Sequence, residues 1–210
     1  MIKVNDVTLV IKKNIILNKI NATFEIGKIH GIIGRNGSGK TMLLKSICGL
    51  IKPNTGEIIV AEKRVGRDID FPEHIGIIIE TPGFIPYYSG YMNLKVLARL
   101  NNKISDKEII NSMNLVGLDS KLKLPVKKYS LGMRQRLGLA QAIMENPELL
   151  ILDEPMNGLD KDGVADMRGY LLDLKKQGKT ILLASHYGED IEMLCDTVCE
   201  MDKGVLTRIK

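Results

Sequence analysis

The octapeptide GRNGSGKT, at positions 34–41, is the feature that most restricts how this chain can fold. It follows the apolar run IHGII and leads into KTMLLKSICGL, where apolar residues recur at helical spacing. This order of strand, glycine-rich loop and helix matches the phosphate-binding loop G-x-x-x-x-G-K-[ST]. Both the letters and their context therefore predict an anion site between a strand and a helix.

The glycines of this loop explain its chemistry. With no Cβ atoms they allow a tight turn in which successive N–H groups face inward, and the helix N-terminus adds its positive dipole end. The lysine would reach the β- and γ-phosphates of a nucleotide, and the threonine hydroxyl would bind Mg²⁺. A glycine-rich turn without function is the alternative. The predicted nucleotide-binding residues are Gly34, Asn36, Gly37, Ser38, Gly39, Lys40, Thr41 and Met42.

A second motif, LLILDEP, places two adjacent carboxylates after four large apolar residues. If the apolar part is a buried strand, Asp153 and Glu154 project from its carboxyl end, where ligands bind in open α/β sheets. Asp153 is predicted to hold the metal, and Glu154 to deprotonate a water that attacks the γ-phosphate. A charged turn after a strand is the alternative, and the phosphate loop in the same chain argues against it.

The remaining sequence alternates between strand and helix patterns. Short β-rich runs occur at MIKV, VTLVI, NATFEI and IHGII, and GEIIVAEKRV and HIGIII indicate two further strands. Later strands are predicted at ELLILD, KTILLAS, DTVCEMD and GVLTRI, separated by the helical patterns LGMRQRLGLAQAIME and KDGVADMRGYLLDLKKQG and by a short helix from Gly188 to about Cys195. Continuous apolar strands separated by helices predict a parallel sheet that is covered on both faces.

Between Ser89 and Lys128 apolar residues recur at helical spacing, and Ser105 with Glu108 forms a capping box that predicts a helix start. We therefore expect one domain over residues 1–210 with a helical subdomain at about 84–130. The predicted fold class is α/β, a P-loop NTPase core with a mostly parallel sheet, an antiparallel β flank and a helical insertion.

Composition restricts the functional classes. The 210 residues carry 30 basic and 25 acidic side chains, a net charge of +5, and a basic surface of this kind suits nucleotides, nucleic acid or an anionic membrane face. Three cysteines form no paired framework, which favours a reducing compartment. Cys195 and Cys199 are four residues apart, a spacing that could place them on one helix face, but no further metal ligand is nearby. The N-terminus has no signal-peptide pattern, and no apolar run is long enough to span a bilayer.

With the phosphate loop, LLILDEP, NGLD and SH in order along one chain, the sequence resembles the ATP-binding subunit of an ABC transporter over essentially its whole length. The segment YSLGMRQR lies where that family carries its signature, usually Leu-Ser-Gly-Gly-Gln. Taken alone, Ser130 would be an ordinary helix N-cap. The resemblance implies that Ser130 and Gly132 bind ATP held by a second subunit, packed head to tail, and that Asp160 lies at the subunit contact. It also implies that His186 contacts the γ-phosphate, whereas we expect His30 and His74 to be structural or solvated.

The sequence departs from the family pattern at position 80, within the signature and at the place where adenine is often stacked. Glu80 stands where glutamine is usual, at a residue that in the family contacts Mg²⁺ and the attacking water and links the core to the helical insertion. Leu131 and Met133 replace the first glycine and the glutamine of the signature. With these features the chain resembles the subgroup that exports bacitracin or lantibiotics or confers immunity to them. Only Val10 or Ile11 is available where the family often stacks adenine on an aromatic ring, so we expect loose base recognition.

These expectations describe an enzyme that hydrolyses MgATP with Glu154, His186, Glu80 and Lys40 as catalytic residues and Thr41, Glu80 and Asp153 at the metal. The resemblance implies a cytoplasmic homodimer on the inner face of the cell membrane. It would power a separate transmembrane permease that exports an antimicrobial peptide or a similar amphipathic compound. The alternative is an ABC-type ATPase that acts on nucleic acid or ribosomes, for which the net charge is the only support. A nucleotide sensor without turnover is disfavoured by the intact Asp153–Glu154 pair.

Overall fold

The computed structural model describes residues 1–80, 82–101, 104–186 and 188–210. The strands in these residues are β1 Ile2–Ile11, β2 Asn14–Phe24, β3 Ile29–Ile33, β4 Thr55–Val60, β5 Lys63–Arg64, β6 Ile75–Ile78, β7 Leu149–Asp153, β8 Thr180–Ala184, β9 Thr197–Asp202 and β10 Val205–Arg208. The α-helices are α1 Lys40–Ile47, α2 Gly90–Asn101, α3 Asp106–Leu115, α4 Leu131–Ile143, α5 Lys161–Lys176 and α6 Gly188–Leu194. Residues 102 and 103, which fall in the predicted helical subdomain, lie outside the described residues.

The strands form two sheets. The larger sheet has the order β10-β9-β3-β8-β7-β6, and its strands run parallel except for β10 at one edge. The smaller sheet is antiparallel, with the order β2-β1-β4-β5. Helices α2 and α3 lie between β6 and α4 in the chain. The predicted fold class, with its parallel core, antiparallel flank and inserted helices, is therefore confirmed.

The central strands are buried on both faces, which explains their continuous apolar sequences. Every residue of β7 and β8 is buried. Because side chains alternate along a strand, Leu150 and Leu152 pack among the helices, whereas Ile151 packs with α1 and the antiparallel sheet. The sheet thus separates two hydrophobic clusters, and its carboxyl edge stays available for polar residues.

The capping box predicted in the helical insertion is present. The Glu108 carboxylate accepts hydrogen bonds from the Ser105 N–H at 2.6 Å and from the Ser105 hydroxyl at 2.8 Å. Helix α3 begins at Asp106, directly after Ser105, and packs against α2 and α4. Buried Leu94 and Met113 join these helices to the cluster that covers the parallel sheet. The insertion is therefore continuous with the main core.

Three local expectations were wrong. MIKV and VTLVI form one ten-residue strand, β1. Where a break was expected, the strand continues with a register shift between Val4 and Val7 and a positive φ of 50° at Asp6. GEIIVAEKRV is a hairpin, because Ala61 and Glu62 adopt φ values of 47° and 67° between β4 and β5. Cys195 follows α6 and Cys199 lies in β9, so the two share no helix face.

All three cysteines are buried free thiols. Burial raises the pKa of Cys48 and of Cys195 to about 12, so both thiols stay protonated at neutral pH. Within the described ranges, no group of three or more His, Cys, Asp or Glu residues is placed to hold a metal ion. The same residues include no helix that is long and apolar enough to cross a membrane.

His30 is a structural residue, as expected. Its ring is buried, with Nδ1 2.7 Å from Thr197 Oγ1 and Nε2 2.8 Å from the Glu25 carbonyl oxygen. A neutral ring that donates from Nε2 and accepts at Nδ1 satisfies both contacts. Burial lowers the pKa of His30 below its ordinary value of 6.5, which keeps the ring neutral.

Candidate functional site

The phosphate loop connects β3 to α1 in the predicted arrangement. Gly34, Gly37 and Gly39 have φ values of 150°, 79° and 116°, a region that L side chains rarely adopt. A Cβ atom on Gly34 would overlap the carbonyl oxygen of Met201, so this position also lacks space. Gly39 caps α1 without a side-chain hydrogen bond. Because glycine has no side chain to cap the helix, the first N–H groups of α1 donate no hydrogen bond to a side chain of the N-cap residue. An anion site needs such uncapped N–H groups.

Two buried polar side chains of the loop fit a phosphate ligand. Lys40 is 6% exposed, and its Nζ atom donates to the carbonyl oxygens of Gly34 at 2.6 Å and Arg35 at 3.2 Å. The Ser38 hydroxyl oxygen is buried and has no hydrogen-bond partner among the described residues. A buried hydroxyl without a partner is unfavourable, and a phosphate oxygen would supply one. Asn36 is exposed on the same loop, and Met42 packs into the core below it.

Thr41 and Asp153 meet at the carboxyl end of β7. The Thr41 hydroxyl donates to Asp153 Oδ2 at 2.6 Å, and Asp153 is 6% exposed. Burial raises the pKa of Asp153, and the charges of Glu154 and Glu80 add to this effect, while the Thr41 hydrogen bond and Lys40 oppose it. A hydroxyl and a carboxylate are the hard oxygen donors that Mg²⁺ prefers. The donor set therefore fits the predicted metal.

Glu154 contacts His186 across two neighbouring parallel strands. The Glu154 Oε2 atom lies 2.7 Å from the ring Nδ1 of His186 and 3.4 Å from its backbone N–H. The Glu154 backbone has a φ of 51°, and its N–H donates to the carbonyl of Ala184 at the end of β8. This turn aims the carboxylate at the edge where β8 also ends. The two predicted catalytic residues are therefore in direct contact.

Glu80 follows β6 and has a φ of 59°. Its Oε1 atom accepts a hydrogen bond from Lys45 Nζ at 2.6 Å. Its charge also acts on Asp153, where it raises the pKa. Glu80 thus lies near the candidate metal residues, but its hydrogen bond is to a lysine of α1.

The signature residues form a separate group. Ser130 caps α4, and its hydroxyl accepts from the Met133 N–H at 3.1 Å. Asp160 caps α5, and its Oδ1 atom accepts from the Gly163 N–H at 2.9 Å. A Cβ atom on Gly132 would lie 3.3 Å from the carbonyl oxygen of Gly158, and one on Gly158 would overlap Leu131. The starts of α4 and α5 therefore pack against each other, and their capping bonds stay within each segment.

Two residues of the site were not identified from the sequence. Lys45 lies four residues after Thr41 on α1, a spacing that places both on one helix face. Gln135 is a 6% exposed amide on α4, and its Nε2 atom donates to the Glu154 carbonyl oxygen at 3.1 Å. A buried glutamine within an apolar helix pattern was the available signal, because buried polar groups need partners.

Comparisons with known proteins identify the family of this chain. The model of the ABC transporter family matches residues 17–157. YybJ of Bacillus subtilis (strain 168), an uncharacterized ABC transporter ATP-binding protein, is 47% identical over 98% of this chain and 94% of its own length. The bacitracin transport ATP-binding protein BcrA of Enterococcus faecalis is 42% identical over 91% of this chain and 63% of its length. The lantibiotic transport ATP-binding protein SrtF of Streptococcus pyogenes is 38% identical, with coverages of 94% and 85%.

The chain thus spans nearly all of YybJ but about three fifths of BcrA. Among solved structures, the ATP-binding cassette MJ0796, as a dimer bound to ADP and Pi, has a TM-score of 0.89 at 20% identity and covers 100% of this chain and 99% of its own. That likeness supports the fold. From the family match, the sequence relatives and the order of motifs around one phosphate loop, we conclude that the chain belongs to the family of ABC transporter ATP-binding proteins and is an ABC-type ATPase.

Proposed function

We propose that the chain hydrolyses MgATP at two composite sites of a head-to-tail homodimer, and that hydrolysis powers a separate transmembrane permease. The observation that carries this proposal is the pair of contacts beside the phosphate loop, Thr41 with Asp153 at 2.6 Å and Glu154 with His186 at 2.7 Å. These contacts support the proposal because the candidate metal donor Asp153 and the candidate base Glu154 are adjacent in the chain.

Thr41 and Asp153 would hold Mg²⁺, with Glu80 beyond them. When bound, Mg²⁺ would neutralise charge on the β- and γ-phosphate oxygens. Lys40 would exchange its two carbonyl acceptors for phosphate oxygens, which are better partners for an ammonium group. The N–H groups of the loop and the Ser38 hydroxyl would bind the remaining phosphate oxygens.

Glu154 would accept the proton of the attacking water. Its side chain is mostly enclosed, with an exposure of 22%, and its carboxylate contacts the His186 ring. A positioned carboxylate beside the γ-phosphate is suited to take this proton. His186 would keep the carboxylate aimed at the water and contact the γ-phosphate from the end of β8.

The second half of each site would come from the partner copy. Ser130 and Gly132 stand at the N-terminal end of α4, whose free N–H groups suit an anion. Asp160 lies in the adjoining segment and would contact the partner subunit. Ser130 can cap its own helix and still bind a nucleotide held by the partner copy, because its hydroxyl accepts one hydrogen bond and can donate another.

The permease and its cargo are proposed from the relatives. BcrA and SrtF are a bacitracin and a lantibiotic transport ATP-binding protein, which supports export of an antimicrobial peptide or a similar amphipathic compound. The permease would dock near Glu80 and the helical subdomain at 84–130. We place the protein in the cytoplasm on the inner face of the membrane, and its three free thiols are in keeping with that compartment. None of these relatives favours the alternative of a nucleic-acid-dependent ATPase.

A mixing experiment tests the composite site. Ser130→Arg disables the signature of one chain, and Lys40→Ala disables the phosphate loop of another. Mixed in equal amounts, the two inactive proteins should regain ATPase activity, because each mixed dimer keeps one complete site. Each variant alone is the control. A mixture as inactive as its components would refute assembly in trans.

Glu154→Gln tests the proposed base. The amide keeps the shape of the side chain but cannot take a proton, so turnover should fall by about 10² to 10⁴ while ATP binding remains. Steady-state hydrolysis and ATP binding are measured on the same preparation. A turnover equal to that of the wild type would exclude Glu154 as the base.

A further inference from the structure

The ion pair between Lys45 and Glu80 distinguishes this site from one with an amide at position 80. The two charged atoms are 2.6 Å apart, with side-chain exposures of 19% for Lys45 and 61% for Glu80. An ion pair of this exposure adds little to folding stability. Its consequence is therefore to be sought in the electrostatics of the site.

The position of Lys45 is set by the same helix that carries the phosphate-loop residues. Thr41 and Lys45 are separated by four residues, one helical turn, and so lie on one face of α1. Thr41 contacts Asp153, and Lys45 contacts Glu80. One face of α1 thus presents a hydroxyl group to Asp153 and an ammonium group to Glu80.

The carboxylates of this edge affect one another. Both Glu154 and Glu80 act on Asp153 in the direction that makes its ionised form less favourable. Three carboxylates close to a triphosphate would repel it, and the two basic side chains of the phosphate loop, Arg35 and Lys40, supply opposing charge. The ammonium group of Lys45 offsets the negative charge of one of them, Glu80.

We propose that Lys45 is a positioning residue that holds and neutralises Glu80, so that positions 45 and 80 together present no net charge to the nucleotide. This inference rests on the proposed function at the same site. It assigns Lys45 to Glu80 rather than to the phosphates.

Opposite changes in metal-free ATP binding are expected from the two single variants. Lys45→Met keeps the apolar stem but leaves Glu80 unpaired, so ATP measured in EDTA should bind about five- to tenfold more weakly. Glu80→Gln leaves the ammonium unpaired, and ATP should bind more tightly by a similar factor. The double variant has neutral groups at both positions and should return to within about twofold of the wild type.

The Mg²⁺ requirement should change in the reverse sense. Lys45→Met adds net negative charge beside Thr41 and Asp153, so half-maximal ATPase activity should need less Mg²⁺, whereas Glu80→Gln should need more. Lys176→Met is a matched control, because it removes another ion-paired lysine, 2.9 Å from Asp173 on α5. Its affinities should equal those of the wild type.

The experiment is calorimetric titration of ATP in EDTA, with Mg²⁺ titrations of activity, on the wild type, the two single variants, the double variant and the control. The swapped pair, Lys45→Glu with Glu80→Lys, adds a variant that retains the ion pair and should bind ATP in EDTA with an affinity near that of the wild type.

A double variant as weak as Lys45→Met would overturn the inference, because Lys45 would then bind phosphate directly. Equal affinities for all the variants would also overturn it. If the wild type binds ATP but the variants do not differ from it as described, only this inference is refuted. If the wild type binds no ATP, the proposed function is refuted as well.

Discussion

Gln135 connects the signature helix to the turn that aims Glu154, and replacing it by leucine tests that connection. Leucine is close to glutamine in size, so the change removes the amide without opening a large cavity. The affected bond is the 3.1 Å contact from Gln135 Nε2 to the Glu154 carbonyl oxygen. That carbonyl also accepts from the Asn157 N–H at 3.1 Å, so it keeps one partner.

The expected loss of stability is consequently small. A net hydrogen bond is worth about 1 kcal/mol, and in a protein of this length about 1 kcal/mol lowers Tm by roughly 2–4 °C. The expected effect on turnover is larger. Glu154 has an unfavourable φ of 51° that its surroundings must maintain, and a displacement of about 1 Å at a catalytic group costs on the order of 10²-fold. We expect kcat to fall between about tenfold and 100-fold, with KM for ATP within about twofold.

Steady-state ATPase kinetics and urea unfolding of the same variant separate the two effects, because a loss of about 1 kcal/mol leaves nearly all molecules folded at 25 °C. Gln141→Leu makes the same chemical change on the same helix and provides the control. If Gln135→Leu had the kcat of Gln141→Leu, the Glu154 turn would not depend on this amide and the reasoning would fail.

Three further changes test other parts of the structure. Because burial lowers the pKa of His30 below 6.5, the unfolded chain takes up a proton first as pH falls through 6.5, so stability should decrease below that pH. The pH dependence of Tm between 5.5 and 8 should be shallower in His30→Gln, and an equal slope would contradict the assignment. Gly158→Ala adds a Cβ atom that overlaps Leu131 at a φ of 76° and should cost about 1–3 kcal/mol by chemical denaturation; a neutral result would mean that Leu131 moves freely. Ser105→Ala removes the hydroxyl bonded to Glu108 and should cost about 0.5–2 kcal/mol, and unchanged unfolding would exclude a contribution from the cap.

The local features of this fold could be predicted from the sequence because they depend on neighbouring residues. The phosphate loop, the acidic end of β7 and the Ser105–Glu108 cap each involve a few consecutive positions. Their backbone preferences are strong enough to be recognised without knowledge of the tertiary structure. The same holds for the buried strands, whose apolar runs require cover on both faces.

The missed features depend on residues far apart in the chain. Lys45 and Glu80 are 35 positions apart, and Gln135 and Glu154 are 19 apart. Helical spacing indicates which face carries such a residue, but its partner is decided by how elements pack. The single strand β1 was missed for a related reason, since pairing with β2 and β4 carries the strand through Asp6 despite its unfavourable local conformation.

The pairing of β7 on both edges has a consequence for how this site tolerates change. Leu149 to Leu152 are in register with β6 on one side, and Leu149 to Asp153 are in register with β8 on the other. A slip by one residue would exchange the faces of every side chain on β7 and would break two ladders at once. The positions of Asp153 and Glu154 are therefore fixed by the main-chain pairing of β7 with β6 and β8. Conservative substitutions among the leucines of β7 would therefore lower the melting temperature through poorer core packing, while the backbone that positions the candidate metal-binding residues keeps its shape.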